Sequence, residues 1–443
     1  MLQDGVRTPG FTVETPPPHM ENAGGIPLKV AMISVHGDPL VPNSELGSDG
    51  KGGQNVYVRE VGKELAKLNC DITWFTRSEA PDQVGVIDIS PTLRCQYIVA
   101  GPQEHINRDF LFTHLDCFIA QIDASKFDCV FTNYWLSGYV GLRLGRPQLH
   151  VHHSLGQLKY ERLEMPEIGP TRLTVEKLLN KYVACMVHQT DSEIKLCEST
   201  NPVLIKAGIN TDRYEQCDPT AARQELGFDE STINVLFAGR FASQKGVPYV
   251  IEAMKSTDVP FKFRLIGNYK GSEFEHLVAE NPQFDFVGQQ PPEMLALYMV
   301  ASDILIMPSL YEPFGIVAIE GMASKCSLIV SATGGLDEIV EEGVTGLKIP
   351  PGDANAIRVA FERLAASPDL RRRLSENAHV NAMSAYSWKG TAIKIRQQLE
   401  RIVYCNPVPA NRIFTPAVQP AHNKGASADL TDVGLASKRS YVG

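Results

Sequence analysis

Short apolar runs recur along the chain, each followed by a longer stretch in which apolar positions return every three or four residues. The runs read as buried parallel strands and the longer stretches as amphipathic helices. In the first half the runs fall at 29–35, 72–75, 96–99, 128–131, 149–152, 184–187 and 203–205. After a turn-rich joint at 208–220, a second series occupies 235–238, 263–266, 284–287, 304–307 and 328–331. Strand and helix in alternation predict an α/β protein of two doubly wound, Rossmann-like domains, 28–213 and 214–385, followed by a helical stretch within 386–405. Such sheets take ligands outside the carboxyl ends of their strands. Residues 1–27, with Pro16-Pro17-Pro18 and Gly24-Gly25, and 406–443, rich in Pro, Ala, Ser and Gly, read as disordered tails.

A chain of 443 residues is long enough for two cores. Its net charge of −9 and pI near 5.7 argue against nucleic acid or an anionic membrane as the main partner. Small anionic ligands in a local basic pocket fit better. Nine cysteines without C-x-x-C spacing suit a reduced, cytoplasmic setting. The sequence predicts no transmembrane segment and leaves peripheral membrane contact open.

The strongest candidate chemistry lies in Ser309-Leu310-Tyr311-Glu312-Pro313-Phe314-Gly315-Ile316-Val317-Ala318-Ile319-Glu320, which follows an apolar run and opens a helix. The first free helix N–H groups should fall near Phe314, Gly315, Ile316 and Val317 and point at an anion. If helical, eight residues separate Glu312 from Glu320 by roughly 12 Å, beyond the roughly 5 to 9.5 Å of hydrolytic carboxylate pairs. The two glutamates should therefore touch different parts of one extended ligand. Upstream, the run Val235-Leu236-Phe237-Ala238 leads to Gly239-Arg240, with Lys245 five positions on. Two cations at a strand end opposite a helix N-terminus suit a diphosphate.

Other motifs narrow the reading. Gly47, Gly50, Gly52 and Gly53 do not have G-x-G-x-x-G spacing, which argues against a dehydrogenase. His150, His152 and His153 do not make a metal set, because strand alternation turns His153 away from the other two. The chain contains no Asp-x-Asp, so no obligatory metal or other cofactor is expected.

These segments resemble the retaining GT-B-fold glycosyltransferases with an E-x7-E motif, glycosyltransferase family 4 and glycosyl transferases group 1. The resemblance rests on Gly239-Arg240 with Lys245-Gly246, the Glu312 to Glu320 segment, Gly334-Gly335 with Glu338, and Gly52-Gly53-Gln54-Asn55-Val56-Tyr57-Val58. His153-Ser154-Leu155-Gly156 with Lys159 is similar to the H-S-L-G-x-x-K segment of sucrose-phosphate synthases and related sucrose enzymes. The resemblance implies two domains facing across a cleft, with the 386–405 segment crossing back onto the first. It implies a nucleotide-sugar donor, UDP-glucose foremost, whose ribose meets Glu320. The diphosphate would meet Arg240 and Lys245, and the donor sugar Glu312 with the 314–317 backbone. Gly53, Gln54 and His153 would flank donor and acceptor, with Tyr134 on the acceptor side. Arg108, Lys159 and Arg172 would hold an acceptor phosphate, making the acceptor a phosphosugar. Departures from the family pattern are Asn133 in place of His, Lys206-Ala207-Gly208 in place of Pro-Asn-Gly, and Lys325 and Ser327 in place of Gly and Pro. The rival readings are an inositol-phosphate N-acetylglucosaminyltransferase, a lipid or polysaccharide hexosyltransferase, and a nucleotide-sugar-binding protein with little turnover.

Overall fold

The computed structural model describes residues 25–46, 51–108, 110–163, 169–229 and 231–405. Most of the two expected tails, and the candidate loop residues Gly47 and Gly50, lie outside the described residues. The first sheet comprises β1 (Leu28–Ile33), β2 (Cys70–Arg77), β3 (Val86–Ser90), β4 (Leu93–Ile98), β5 (Cys129–Asn133), β6 (Gln148–Val151), β7 (Cys185–His188) and β8 (Pro202–Leu204). The second comprises β9 (Ile233–Ala238), β10 (Phe261–Ile266), β11 (Asp285–Gly288), β12 (Ile304–Met307), β13 (Ser327–Ser331) and β14 (Leu347–Ile349). Their orders are β3-β4-β2-β1-β5-β6-β7-β8 and β11-β10-β9-β12-β13-β14. Every neighbouring pair is parallel except β3 with β4.

All twelve apolar runs contain or overlap a strand, and the central ones, Cys-Val-Phe-Thr-Asn of β5 and Ile-Leu-Ile-Met of β12, are buried throughout. Strands covered by helices on both faces have no polar side to show, which is why periodicity gives way to continuous apolarity. Two strands escape that criterion. β3 is an edge strand exposed at every position, and β14 is three residues long.

The topology places two switch points. In the first sheet the chain leaves β1 towards β2 and later returns to the other side at β5; in the second it leaves β9 towards β10 and returns at β12. A crevice opens above each such reversal, where the flanking connections diverge. The last helix, Trp388–Glu400, continues as a π-helical turn, Arg401–Cys405, and packs on the first domain's Gly53–Lys67 helix, with the Trp388 and Tyr57 rings 5.8 Å apart.

Candidate active site

Both crevices open into one cavity. Its wall from the first domain carries His36 after β1, Tyr134 after β5, His153 and Ser154 after β6, Gln189 after β7, and the start of the Gly53–Lys67 helix. Its wall from the second carries Arg240, Gln244 and Lys245 after β9 and Glu312 to Val317 after β12. Gly53 faces Ile316 across the gap, 3.7 Å from its Cδ1 at the position a Cβ would take. Two helices, Gly53–Lys67 and Ile316–Ala323, thus start at the same cavity, and each presents amides without an intrahelical acceptor there.

The second-domain wall is built by two interlocked loops. Leu310 N–H donates to the Gln244 carbonyl and the Gln244 side chain to the Tyr311 carbonyl, each at 2.9 Å. Gly246, at φ +66°, passes so close to the Pro308 carbonyl that a Cβ would sit 2.0 Å from its oxygen. This tie sets Lys245 against Glu312, and the two form an ion pair in the wall, with Ser309 Oγ 3.4 Å from the same carboxylate. The Ile316–Ala323 helix starts after Glu312, which is therefore held by the loop and not by the helix. That corrects the fully helical spacing expected between Glu312 and Glu320.

On the first-domain side, Tyr134 and His153 adopt left-handed backbone, at φ 74° and 59°. Non-glycine residues there carry strain that the surroundings must hold, and both sit at adjacent strand ends on the cavity. The His153 ring meets Tyr57 edge-on at 4.8 Å, and its Nε2 lies 2.9 Å from the Asn133 amide oxygen. Donation of Nε2–H to that oxygen leaves Nδ1 as the acceptor. Burial, reinforced by His152, pushes the His153 pKa down to about 3, so the ring is neutral at ordinary pH. As expected, His153 turns away from His150 and His152, whose Nε2 and Nδ1 lie 3.3 Å apart.

His36 reports the field beside it. Burial, and then the positive charges of Arg108, Arg172 and Lys159, lower its pKa to about 3. Arg108 and Lys159 line the cavity itself, as do Gln54 and Lys51.

Two candidate residues are not on this wall. Arg172 sits behind it, buried: Nε donates to Glu176 at 2.7 Å, NH1 to the Tyr134 hydroxyl at 2.9 Å, and NH2 to the Ser154 carbonyl at 2.8 Å. The fork expected to grip a phosphate directly is instead engaged by two wall residues and a glutamate. Glu320 lies further along its helix beside Arg213 and hydrogen-bonded to Tyr214, and burial pushes its pKa up to about 7. His36, Lys51, Gln189 and Gln244 are wall residues that the sequence reading omits. His36 and Gln189 each directly or nearly follow a strand, a position that could have marked them.

The first domain matches the model of Glycosyltransferase Family 4 over residues 51–213, and the second that of Glycosyl transferases group 1 over 218–380. A D-inositol 3-phosphate glycosyltransferase from Geodermatophilus obscurus is 30% identical over 401 residues, covering 83% of this chain and 88% of that protein. The chain belongs to the GT-B glycosyltransferases. A sucrose-phosphate synthase from Thermosynechococcus elongatus superposes on this glycosyltransferase with a TM-score of 0.79 at 34% identity, covering 85% of this chain and 99% of that one. The Anabaena HepE structure, in complex with UDP-glucose, shares the fold at a TM-score of 0.65 and 17% identity, over 84% of this chain and 99% of that one. The two parallel-sheet domains facing across a cleft are the GT-B architecture expected from the sequence. Among the described residues no helix is long and apolar enough to cross a membrane.

Proposed function

We propose that this glycosyltransferase is a retaining hexosyltransferase that moves glucose from UDP-glucose onto a phosphorylated sugar or polyol. The observation that carries the reading is the meeting of Arg240, Lys245 and a helix N-terminus on one wall with Arg108 and Lys159 on the other. An acidic chain that gathers cations at one cavity offsets their mutual repulsion when anionic ligands enter. Two groups facing each other suit two phosphate-bearing substrates. The names of two relatives, D-inositol 3-phosphate glycosyltransferase and sucrose-phosphate synthase, each contain a phosphorylated hydroxyl compound. A second reading, transfer to an inositol phosphate, is favoured by the former.

In the proposed reaction the acceptor hydroxyl oxygen bonds to the sugar C1 as the bond from C1 to the diphosphate oxygen breaks. The hydroxyl proton passes to the departing diphosphate on the same face. Arg240, Lys245 and the amides of Ile316 and Val317 stabilise the charge that develops there. Glu312 contacts the donor sugar, so donor binding must replace the Lys245–Glu312 ion pair with a Lys245–diphosphate contact. Gly53, Gln54 and His153 align the sugar with the acceptor, and Tyr134 lies on the acceptor side. Arg172 acts as a positioning residue for Tyr134 and Ser154. The nine free cysteines fit a cytoplasmic setting. A panel of nucleotide sugars read by nucleoside diphosphate release tests the donor assignment; UDP-glucose should lead, and no release from any donor would overturn the reading.

Glu320 is assigned to the ribose hydroxyls, which donate best to an ionised carboxylate. Its pKa of about 7 makes that state pH-dependent. The KM for UDP-glucose should fall as pH rises through about 7, and Glu320→Gln should flatten the profile; the same slope in the variant would exclude Glu320 as its source. Transfer should also survive chelator treatment, since protein cations take the role that Asp-x-Asp plus metal would otherwise fill. Loss on chelation and recovery with added magnesium or manganese would contradict this.

A further inference from the structure

The two domains are joined at the cavity's rim by a contact outside the machinery described above. Residues 189–193 of the first domain close a box on themselves: Gln189 N–H donates to Glu193 Oε2 at 2.9 Å, and Glu193 N–H to the Thr190 hydroxyl at 3.1 Å. The next two amides are completed from the other domain. Asp191 N–H donates to Glu338 Oε2 at 2.8 Å, Ser192 N–H to Glu338 Oε1 at 2.9 Å, and the Ser192 hydroxyl to the same Oε1 at 2.5 Å. One carboxylate of the second domain thus receives three hydrogen bonds from the first.

Both ends of this contact lead to the cavity. Gln189, which opens the box, lines it. Glu338 belongs to the short Gly334–Ile339 helix, whose start is pressed under the Glu312 loop: Gly335 N–H donates to the Glu312 carbonyl at 2.9 Å. A Cβ on Gly335 would fall 2.1 Å from the Phe314 carbonyl oxygen, so no side chain could keep that approach. The helix therefore spans from the wall that holds Glu312 and Phe314 to the first-domain segment that holds Gln189. Moving the domains apart breaks the Glu338 contact and widens the space between those wall residues together.

We infer that Glu338 is an interdomain latch, a positioning residue that sets the closed cleft and with it the affinity for substrates. Its bonds are to two backbone amides and a hydroxyl at an exposed rim, so water can replace them when the domains part. The latch biases an equilibrium and does not lock it. If closing limits binding, the apparent Kd rises as the closed fraction falls, and a tenfold drop in that fraction is a tenfold weaker Kd. Only this kinetic consequence rests on the transferase reading. The contact and its effect on domain separation stand without it.

The test pairs variants from the two sides, each checked for a native thermal melt. Glu338→Ala removes the acceptor. Asp191→Pro removes one donor at the first helical position, where proline is tolerated. Small-angle scattering of the full chain without ligand should give a larger radius of gyration for both variants than for the wild type, and saturating UDP should reduce the difference. The KM for UDP-glucose should rise about tenfold for Glu338→Ala and less for Asp191→Pro, with kcat changed far less because saturating substrate restores closure. Scattering superimposable on the wild type in either variant would overturn the latch. So would a larger radius accompanied by unchanged KM. If the wild type shows no turnover with any sugar nucleotide, the transferase reading fails while the scattering arm still judges the latch.

Discussion

Replacing Lys245 by alanine is expected to lower kcat by one to two decades, and to lower stability as well. The rate estimate follows from losing one charged hydrogen bond to the leaving diphosphate, worth roughly 1.5 to 3 kcal/mol when expressed in the transition state. The stability loss follows from the ion pair: without Lys245 the largely buried Glu312 carboxylate loses that cationic partner, while Ser309 Oγ stays 3.4 Å away. These two effects separate in the Lys245→Ala/Glu312→Gln double variant, which should regain the thermal midpoint but not the turnover. A wild-type kcat in folded Lys245→Ala protein would remove Lys245 from the diphosphate site. A double variant no more stable than the single one would show that the pair contributes little to folding.

The second large effect concerns the acceptor. Lys159→Ala and Arg108→Ala should each raise the KM for a phosphorylated acceptor by roughly tenfold or more, with the KM for the donor nearly unchanged. Arg172→Lys should behave differently. Lysine cannot reproduce a planar fork that reaches Glu176, Tyr134 and Ser154 at once. That variant should lose thermal stability together with acceptor affinity, because the buried Glu176 loses its guanidinium partner, keeping the Gly156 N–H, and two wall residues lose their support. Steady-state kinetics varied in each substrate, alongside thermal denaturation, distinguishes the patterns. An unchanged acceptor KM in Lys159→Ala and Arg108→Ala would place the acceptor phosphate elsewhere.

Much of this site was legible because strand ends and helix starts leave local marks. Arg240 follows an apolar run and Glu312 precedes a helix, so their placement at strand carboxyl ends needed only the alternation of elements; that these ends flank a switch point came from the strand order. The Lys245–Glu312 ion pair was not legible: its partners are separated by sixty-seven positions, and the pairing of β9 with β12 and the Gln244 tie between the loops bring them together. Arg172 illustrates a different limit. A buried arginine and a phosphate-binding one are the same letter, and the three groups that engage it come from separate elements. β3 escaped because an exposed edge strand shows no buried face. Of the departures from the family pattern, Lys325 takes φ 60°, a backbone state that glycine reaches without strain, and Asn133 supplies the oxygen that faces His153. Glu338 was marked by the family resemblance without a role; its bonds to Asp191 and Ser192, some 147 positions away, show only when the other domain is seen beside it.

The proposed reaction is transfer of a hexose from UDP-glucose to an acceptor chosen by its phosphate. The most direct measurement offers the wild-type protein UDP-glucose with fructose 6-phosphate, D-inositol 3-phosphate and their unphosphorylated counterparts, and reads product mass and anomeric configuration. The expected result is a phosphorylated product one hexosyl unit heavier than its acceptor, with the donor's α configuration kept, and little product from the free polyols. Equal use of the unphosphorylated acceptors, or a product of inverted configuration, would contradict it.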